Sequence, residues 1–299
     1  MDQSVNHSVE GNRFPREVTD GVFWLNRCIP TLIFGRILHV HLSIYLVKGQ
    51  DKTLLVDTSL PTYWSDIEGQ LEDALAGRTL DYLFVTHPEV PHAGAMPLLL
   101  EKYPDLKVVG DVRDYQVFFP DYSSRFVDMR PGEKIDLGGR NFRFIDAVIK
   151  DLPNSLWGYD ELTRAMFVSD GFSFSHESAN IDEDRADPIS SSLQNVSFSV
   201  DEDDAPSHRP GECCLMSSEL PTEVSIEQAS VVLQRALTFS RFVYPQPLFK
   251  EVDQVLRDNP PKLICPAHGS VIDNIEALLP VIRQTHDVAF ASGAGARTK

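Results

Sequence analysis

The sequence predicts an α/β fold in which helices cover a sheet system, and three observations lead there. Short apolar runs come first, around a tight turn, as in a hairpin. They then alternate with segments of helical spacing. No Pro/Ser-rich linker divides the 299 residues into halves, so one domain with one long insertion is expected.

Taken in order, residues 1–20 read as a loose arm and 21–290 as the domain. Gly21 to Leu25 predicts a strand, His39 to Val47 a second and Lys52 to Asp57 a third, the last two joined by a Lys48-Gly49-Gln50-Asp51 turn. Trp64 to Leu75 places apolar residues at helical spacing. Leu80 to Val85 predicts a buried strand and Ala95 to Tyr103 a helix that Pro104 ends. Strand Lys107–Val109 and helix Val112–Phe119 follow, then strands Lys134–Leu137 and Asn141–Ile145 around Gly138-Gly139. Pro153 to Trp157 reads as a loop and Ala165 to Val168 as a strand. Residues 175–222 are rich in Ser, Asp and Glu, with the run Asp201-Glu202-Asp203-Asp204, and predict a mobile acidic excursion. Helices over Ser225–Phe239 and Leu248–Arg257, strand Lys262–Cys265 and helix Asn274–Gln284 complete the domain before a frayed tail at 291–299.

The composition is 42% hydrophobic and 24% charged, with a net charge of −17. That acidity argues against a nucleic-acid partner, which needs a basic surface. No stretch reaches the roughly 18 apolar residues of a membrane span. The polar N-terminus has no signal-like apolar run, so a cytoplasmic location is expected. Cys28, Cys213, Cys214 and Cys265 fit no zinc-finger or redox spacing and are expected as reduced thiols.

The chemistry concentrates after the Leu80–Val85 strand, in Thr86-His87-Pro88-Glu89-Val90-Pro91-His92-Ala93-Gly94. His87, Glu89 and His92 are three metal-ligand types in six residues. Asp151, Asp170 and His268 each follow another predicted strand, where a rigid base positions a loop. Together they can serve two metal ions sharing one carboxylate. Several carboxylates beside imidazoles favour iron or manganese over an all-histidine zinc site. Bland alternatives exist: Asp170 as a turn cap before Gly171, Asp151 as a solvated loop acid. His39 and His41 read as packing residues on a strand, and His176, His208 and His286 as incidental. Asp57 reads as a group that bonds backbone or supports a ligand. Trp64, Trp157, Tyr159 and Tyr244 are candidate pocket aromatics, as is the loop Phe118–Arg130.

The segments HLSIYLV…KTLLVDT, Val85-Thr86-His87-x-Glu89-x-x-His92-Ala93-Gly94, Ser169-Asp170-Gly171-Phe172 and Cys265-Pro266-Ala267-His268-Gly269 occur in the order of the metallo-β-lactamase superfamily, which the chain resembles over about residues 20–285. Glu89, where most members carry a second His, resembles the flavodiiron branch and its single-domain oxygen-binding relatives. The resemblance implies an αββα sandwich with a di-iron centre at one edge. It implies one metal on His87, Glu89 and the Asp151 position, the other on His92 and His268, and Asp170 bridging. Two positions depart from the branch. Pro91 stands where an Asp ligand is usual and cannot bind a metal, and Asp151 stands where a His is usual. No flavodoxin-like segment follows the domain, so no bound flavin is expected and electrons would come from a separate donor or an oxidisable substrate. The resemblance also raises a homodimer. The expected function is a di-iron protein that binds or activates O₂, as an oxidoreductase on a small molecule or as a gas sensor. The alternatives are a metal-dependent hydrolase of an ester, lactone or amide, and a non-catalytic scaffold; zinc or manganese is the alternative to iron.

Overall fold

The computed structural model describes residues 14–33, 36–177 and 212–296. Residues 1–13 of the expected arm, 178–211 of the acidic excursion and 297–299 of the tail lie outside the described residues.

Two sheets stack face to face. The larger runs β1 (Arg16–Thr19), β2 (Val22–Ile33), β3 (Arg36–Lys48), β4 (Thr53–Val56), β5 (Tyr82–Phe84), β6 (Lys107–Gly110) and β7 (Phe126–Asp128), neighbour to neighbour. The smaller contains β8 (Lys134–Asp136), β9 (Asn141–Asp146), β10 (Leu156–Asp160) and β11 (Ala165–Phe167); β12 (His176–Glu177) returns to pair with β3, and β13 (Leu263–Cys265) lies beside β11. The β2–β3 hairpin is antiparallel from Val22↔Val47 to Ile33↔Arg36, whereas β4 to β7 are parallel.

Alternation along each strand sorts side chains into three apolar layers. Trp24, Tyr45, Val47, Leu54, Val56, Phe84, Phe142, Phe144 and Phe167 fill the space between the sheets. Leu25, Ile44, Leu46, Leu55 and Leu83 face the other way, against α1 (Trp64–Leu75) and, beyond the short α2 (Val90–Ala93), α3 (Met96–Lys102). After the one-turn α4 (Tyr115–Phe118), the helices α5 (Ile226–Arg235), α6 (Pro245–Asp258) and α7 (Ile275–Ala296) cover the smaller sheet over Trp157, Tyr159, Met166 and Ile264. The α/β class holds, and the layering is the expected αββα.

Several elements differ from the sequence reading. The strand expected at Gly21–Leu25 runs on to Ile33 because the hairpin continues through polar residues. Arg16–Thr19, expected as arm, pairs with β2. Leu156 and Trp157, expected in a loop, begin β10, all five of whose residues are buried. Gly158 disguises that strand: a Cβ there would lie 2.3 Å from Phe142 Cζ on the neighbouring β9 and 3.2 Å from Phe84 Cε1 of the facing sheet, so these rings pack only over a glycine. Helix α7 continues through Ser292 and Gly293 instead of fraying. Gly293 is needed for close approach, since a Cβ would sit 2.3 Å from the Arg241 carbonyl. Trp64, Trp157 and Tyr159 pack in cores, and Tyr244 is exposed against Phe290. No helix among the described residues is long and apolar enough to cross a membrane.

Candidate metal centre

The parallel strands end at one edge of the sandwich, and the loops leaving them carry the polar residues. His87 follows β5, Glu89 caps α2, His92 lies within α2, Asp170 follows β11 and His268 follows β13. Pro91 sits in the first turn of α2, where proline is tolerated because the first amides need no helical partner. Thr58 Oγ1 donates to the His92 carbonyl (2.9 Å) and accepts from Ala95 N (3.1 Å), which pins this short helix to the end of β4.

One donor atom from each of His87, Glu89, His92 and Asp170 falls within 4.8 Å of the others. Asp170 Oδ1 is 3.1 Å from His92 Nε2 and 3.4 Å from His268 Nε2. His87 Nε2 is 3.8 Å from both Glu89 Oε2 and Asp151 Oδ2. All six residues expected from the sequence therefore meet at one place, with Asp151 at its margin beside His87.

Behind them, the imidazoles are oriented by their other nitrogen. His92 Nδ1 contacts Asp57 Oδ2 at 2.9 Å, His87 Nδ1 contacts Ser169 Oγ at 2.7 Å, and His268 Nδ1–H donates to the His41 carbonyl at 2.8 Å. Thr86 Oγ1 lies 3.1 Å from Ser169 Oγ and 3.0 Å from Asp57 Oδ2, and Thr86 N donates to Asp57 Oδ1 at 2.8 Å. A consistent order of protons runs from His87 through Ser169 and Thr86 to Asp57, which also takes the proton of His92. Every Nδ1 then carries hydrogen and every Nε2 faces the centre. Asp57 and Ser169 both hold left-handed backbone (φ 63° and 53°), a conformation that a non-glycine residue keeps only when its surroundings enforce it.

The donor atoms fit a metal. His87 Nε2, His92 Nε2 and both oxygens of Asp170 are buried without a hydrogen-bond partner, a costly condition for polar atoms that a cation would relieve. Four carboxyl groups (Asp57, Glu89, Asp151 and Asp170) surround three imidazoles, so the cluster draws in positive charge. Burial disfavours charge on His92, but Asp57 and Asp170 outweigh it and raise its pKa well above the ordinary value. Burial likewise opposes charge on Asp170, yet His92 and then His268 hold its carboxyl far below the usual range. The neighbouring His87 imidazole lowers Glu89, against burial. Burial raises Asp151, and the neighbouring carboxylates Asp170 and Glu89 push it further.

Residues 40–157 match the metallo-beta-lactamase superfamily. A nitric oxide reductase from Moorella thermoacetica is 29% identical over 53% of this chain and 42% of its own length. A coenzyme F₄₂₀H₂ oxidase from Methanocaldococcus jannaschii is 24% identical over 95% of this chain and 62% of its own. Among solved structures, the flavodiiron protein from Giardia intestinalis superposes with a TM-score of 0.62 at 14% identity, over 91% of this chain and 58% of that one. This is a metallo-β-lactamase fold. The chain spans less than two thirds of the length of the curated relatives it matches.

Within the metallo-β-lactamase fold, the two unusual positions have different consequences. Asp151 still offers an oxygen toward His87, although its Oδ1 is occupied by Leu152 N at 2.8 Å. Pro91 offers no side-chain donor, and its carbonyl is taken by Ser59 N at 3.1 Å. One strand over, beyond the ends of β6 and β7, lies a cavity of about 450 Å³ lined in part by Asp111, Arg113, Asp128, Arg130 and Leu156. Leu156 N donates to the Thr86 carbonyl at 2.9 Å, so the cavity wall is tied to the residue next to His87. Asp57 was legible as a supporting group. Ser169 and Thr86 were not, because a hydroxyl beside a ligand carries no spacing signal.

Proposed function

We propose that this chain is a dinuclear non-heme iron oxidoreductase that acts on O₂ or NO, with His87, Glu89 and Asp151 holding one metal, His92 and His268 the other, and Asp170 between them. The observation that carries this reading is the set of buried, unpartnered donor atoms on His87, His92 and Asp170. The carboxylate-rich donor set favours iron or manganese over zinc. Similarity to a nitric oxide reductase and to an F₄₂₀H₂ oxidase supports the choice of small diatomic substrates.

Bound iron would supply one-electron chemistry and open coordination positions. The protein's own residues supply the rest. Asp57 and Ser169 keep the imidazole protons on Nδ1 and away from the site. Glu89, half exposed where His87, His92 and Asp170 are buried, stands at the solvent side, where it can exchange protons with water. Pro91 contributes no donor on the His92 side, which leaves room there for a diatomic ligand. Electrons would come from a separate donor or an oxidisable substrate.

Protein purified without added metal should hold two irons per chain and consume O₂ or NO when supplied with an artificial reductant. His87→Ala and Asp170→Ala should each lose most of that iron. Bound zinc with turnover of simple esters, and no reductant-dependent gas consumption, would replace this reading with a hydrolase.

A further inference from the structure

A second cluster of donors lies along the β2–β3 hairpin. Cys28 on β2, His39 and His41 on β3, His176 on β12 and Cys213 in the 3₁₀ turn Glu212–Cys214 converge there. Sequence spacing gave no hint of it, because the residues come from four separated segments. His39 and His41 share one face of the strand, as alternation requires, and β12 pairs His176 directly with His39. His39 and His41, read from the sequence as packing residues, and His176, read as incidental, here meet Cys28 and Cys213, whose spacing fits no zinc-finger pattern.

The distances are those of a coordination shell. His39 Nδ1 is 3.4 Å from Cys28 Sγ and 3.1 Å from Cys213 Sγ, and His41 Nε2 is 3.1 Å from His176 Nε2. Donor atoms of Cys28, His39 and Cys213 lie within 4.8 Å of one another, as do those of His41, His176 and Cys213. A tetrahedral zinc with ordinary Zn–S and Zn–N bonds places neighbouring donors about 3.3–3.8 Å apart. The two facing imidazoles also conflict without a cation. His176 Nδ1–H donates to the Glu177 carbonyl at 3.2 Å, so its Nε2 presents a lone pair. For His41 to bond it, His41 must carry its proton on Nε2. Its Nδ1, fully buried, then makes no hydrogen bond. A metal ion accepts the His176 lone pair directly, and the Nδ1–H bond to a backbone carbonyl is the usual support for such a ligand.

We propose that Cys28, His39 and Cys213, completed by His176, which meets the same Cys213, form a second, four-ligand metal site for a thiophilic ion of the zinc class, separate from the dinuclear centre. Thiolate and imidazole donors select zinc or copper(I) over the harder ions that carboxylates prefer. The site ties the curled β2–β3 hairpin to His176 and to the turn at Cys213. It adjoins the first centre, since the His41 carbonyl holds His268 Nδ1.

Cobalt(II) tests this on the full reduced chain after chelator treatment. The carboxylate–histidine centre has no thiolate, so a near-ultraviolet sulfur-to-cobalt charge-transfer band reports on the second cluster alone. The expected result is that band in the wild type and in Cys214→Ser, with its loss in the double variant Cys28→Ser/Cys213→Ser. Metal analysis of untreated protein should show one zinc per chain, lost in the double variant while the iron content stays. No band in the wild type overturns the proposal without recourse to any variant. So does a native Cys28–Cys213 disulfide found by peptide mapping in place of bound metal.

Discussion

Asp57→Asn isolates how Asp57 would orient the imidazoles of the proposed metal centre. The substitution keeps shape and suits the left-handed backbone at this position (φ 63°), which Asn tolerates as well as Asp. The carboxylate accepts from Thr86 N at 2.8 Å and Thr86 Oγ1 at 3.0 Å, and meets His92 Nδ1 at 2.9 Å. In the variant, the amide oxygen can keep the Thr86 N bond, which puts the NH₂ group against His92 Nδ1. His92 must then accept at Nδ1 and carry its proton on Nε2, the atom aimed at the metals. Turning the amide over instead sets its NH₂ against Thr86 N–H, two donors face to face. Disturbing such a supporting bond typically weakens metal binding 10- to 100-fold, about 1.4 to 2.7 kcal/mol. Asp57→Ala is harsher, since it orphans buried donors at about 1–3 kcal/mol each and threatens the fold itself. The assay is iron binding to chelator-treated protein by calorimetric titration, with near-ultraviolet circular dichroism to establish that Asp57→Asn is folded. Wild-type affinity at both metal positions in a folded Asp57→Asn protein would refute the argument that Asp57 sets the tautomer.

Acid stability should depend on His286, which burial lowers from 6.5 to about 4 and which packs edge-on against Phe249 at 5.2 Å. The unfolded chain takes up this proton first, so stability is full above about pH 6.5 and falls by about 3 kcal/mol as pH drops to about 4; His286→Leu should flatten that part of a denaturation-versus-pH profile, and an unchanged slope would count against it. Gly158→Ala should lower the urea midpoint by the equivalent of about 1–3 kcal/mol at unchanged m-value, because its Cβ would press on Phe142 where the two sheets meet. A wild-type midpoint would mean that the sheets separate more easily than their packing implies.

The strands that were legible are those whose local pattern and tertiary role agree. Lys52–Asp57, Leu80–Val85, Ala165–Val168 and Lys262–Cys265 are short apolar runs ending in polar residues, and each became a buried strand with site residues at or beyond its end. Leu156–Asp160 was missed because Gly158 looks like a breaker until Phe142 is seen against it. The tail was misjudged for the same reason at Gly293. In both cases a glycine that signals a turn locally serves close approach between distant segments.

By itself the sequence determined the layered α/β fold and pointed to the six residues that the structure brings together at one edge, because each follows a recognisable strand and local order is enough to place a strand end. It also determined that Pro91 withdraws a donor, since proline has none to offer. Only the tertiary structure decided which nitrogen of each imidazole faces the centre, because that depends on Asp57, Ser169 and the His41 carbonyl brought in from other strands. Only the tertiary structure, too, gathered Cys28, His39, His41, His176 and Cys213. Their meeting depends on the register of β2 and β12 against β3 and on where the turn at Glu212–Cys214 lands, and none of these is a local property of the chain.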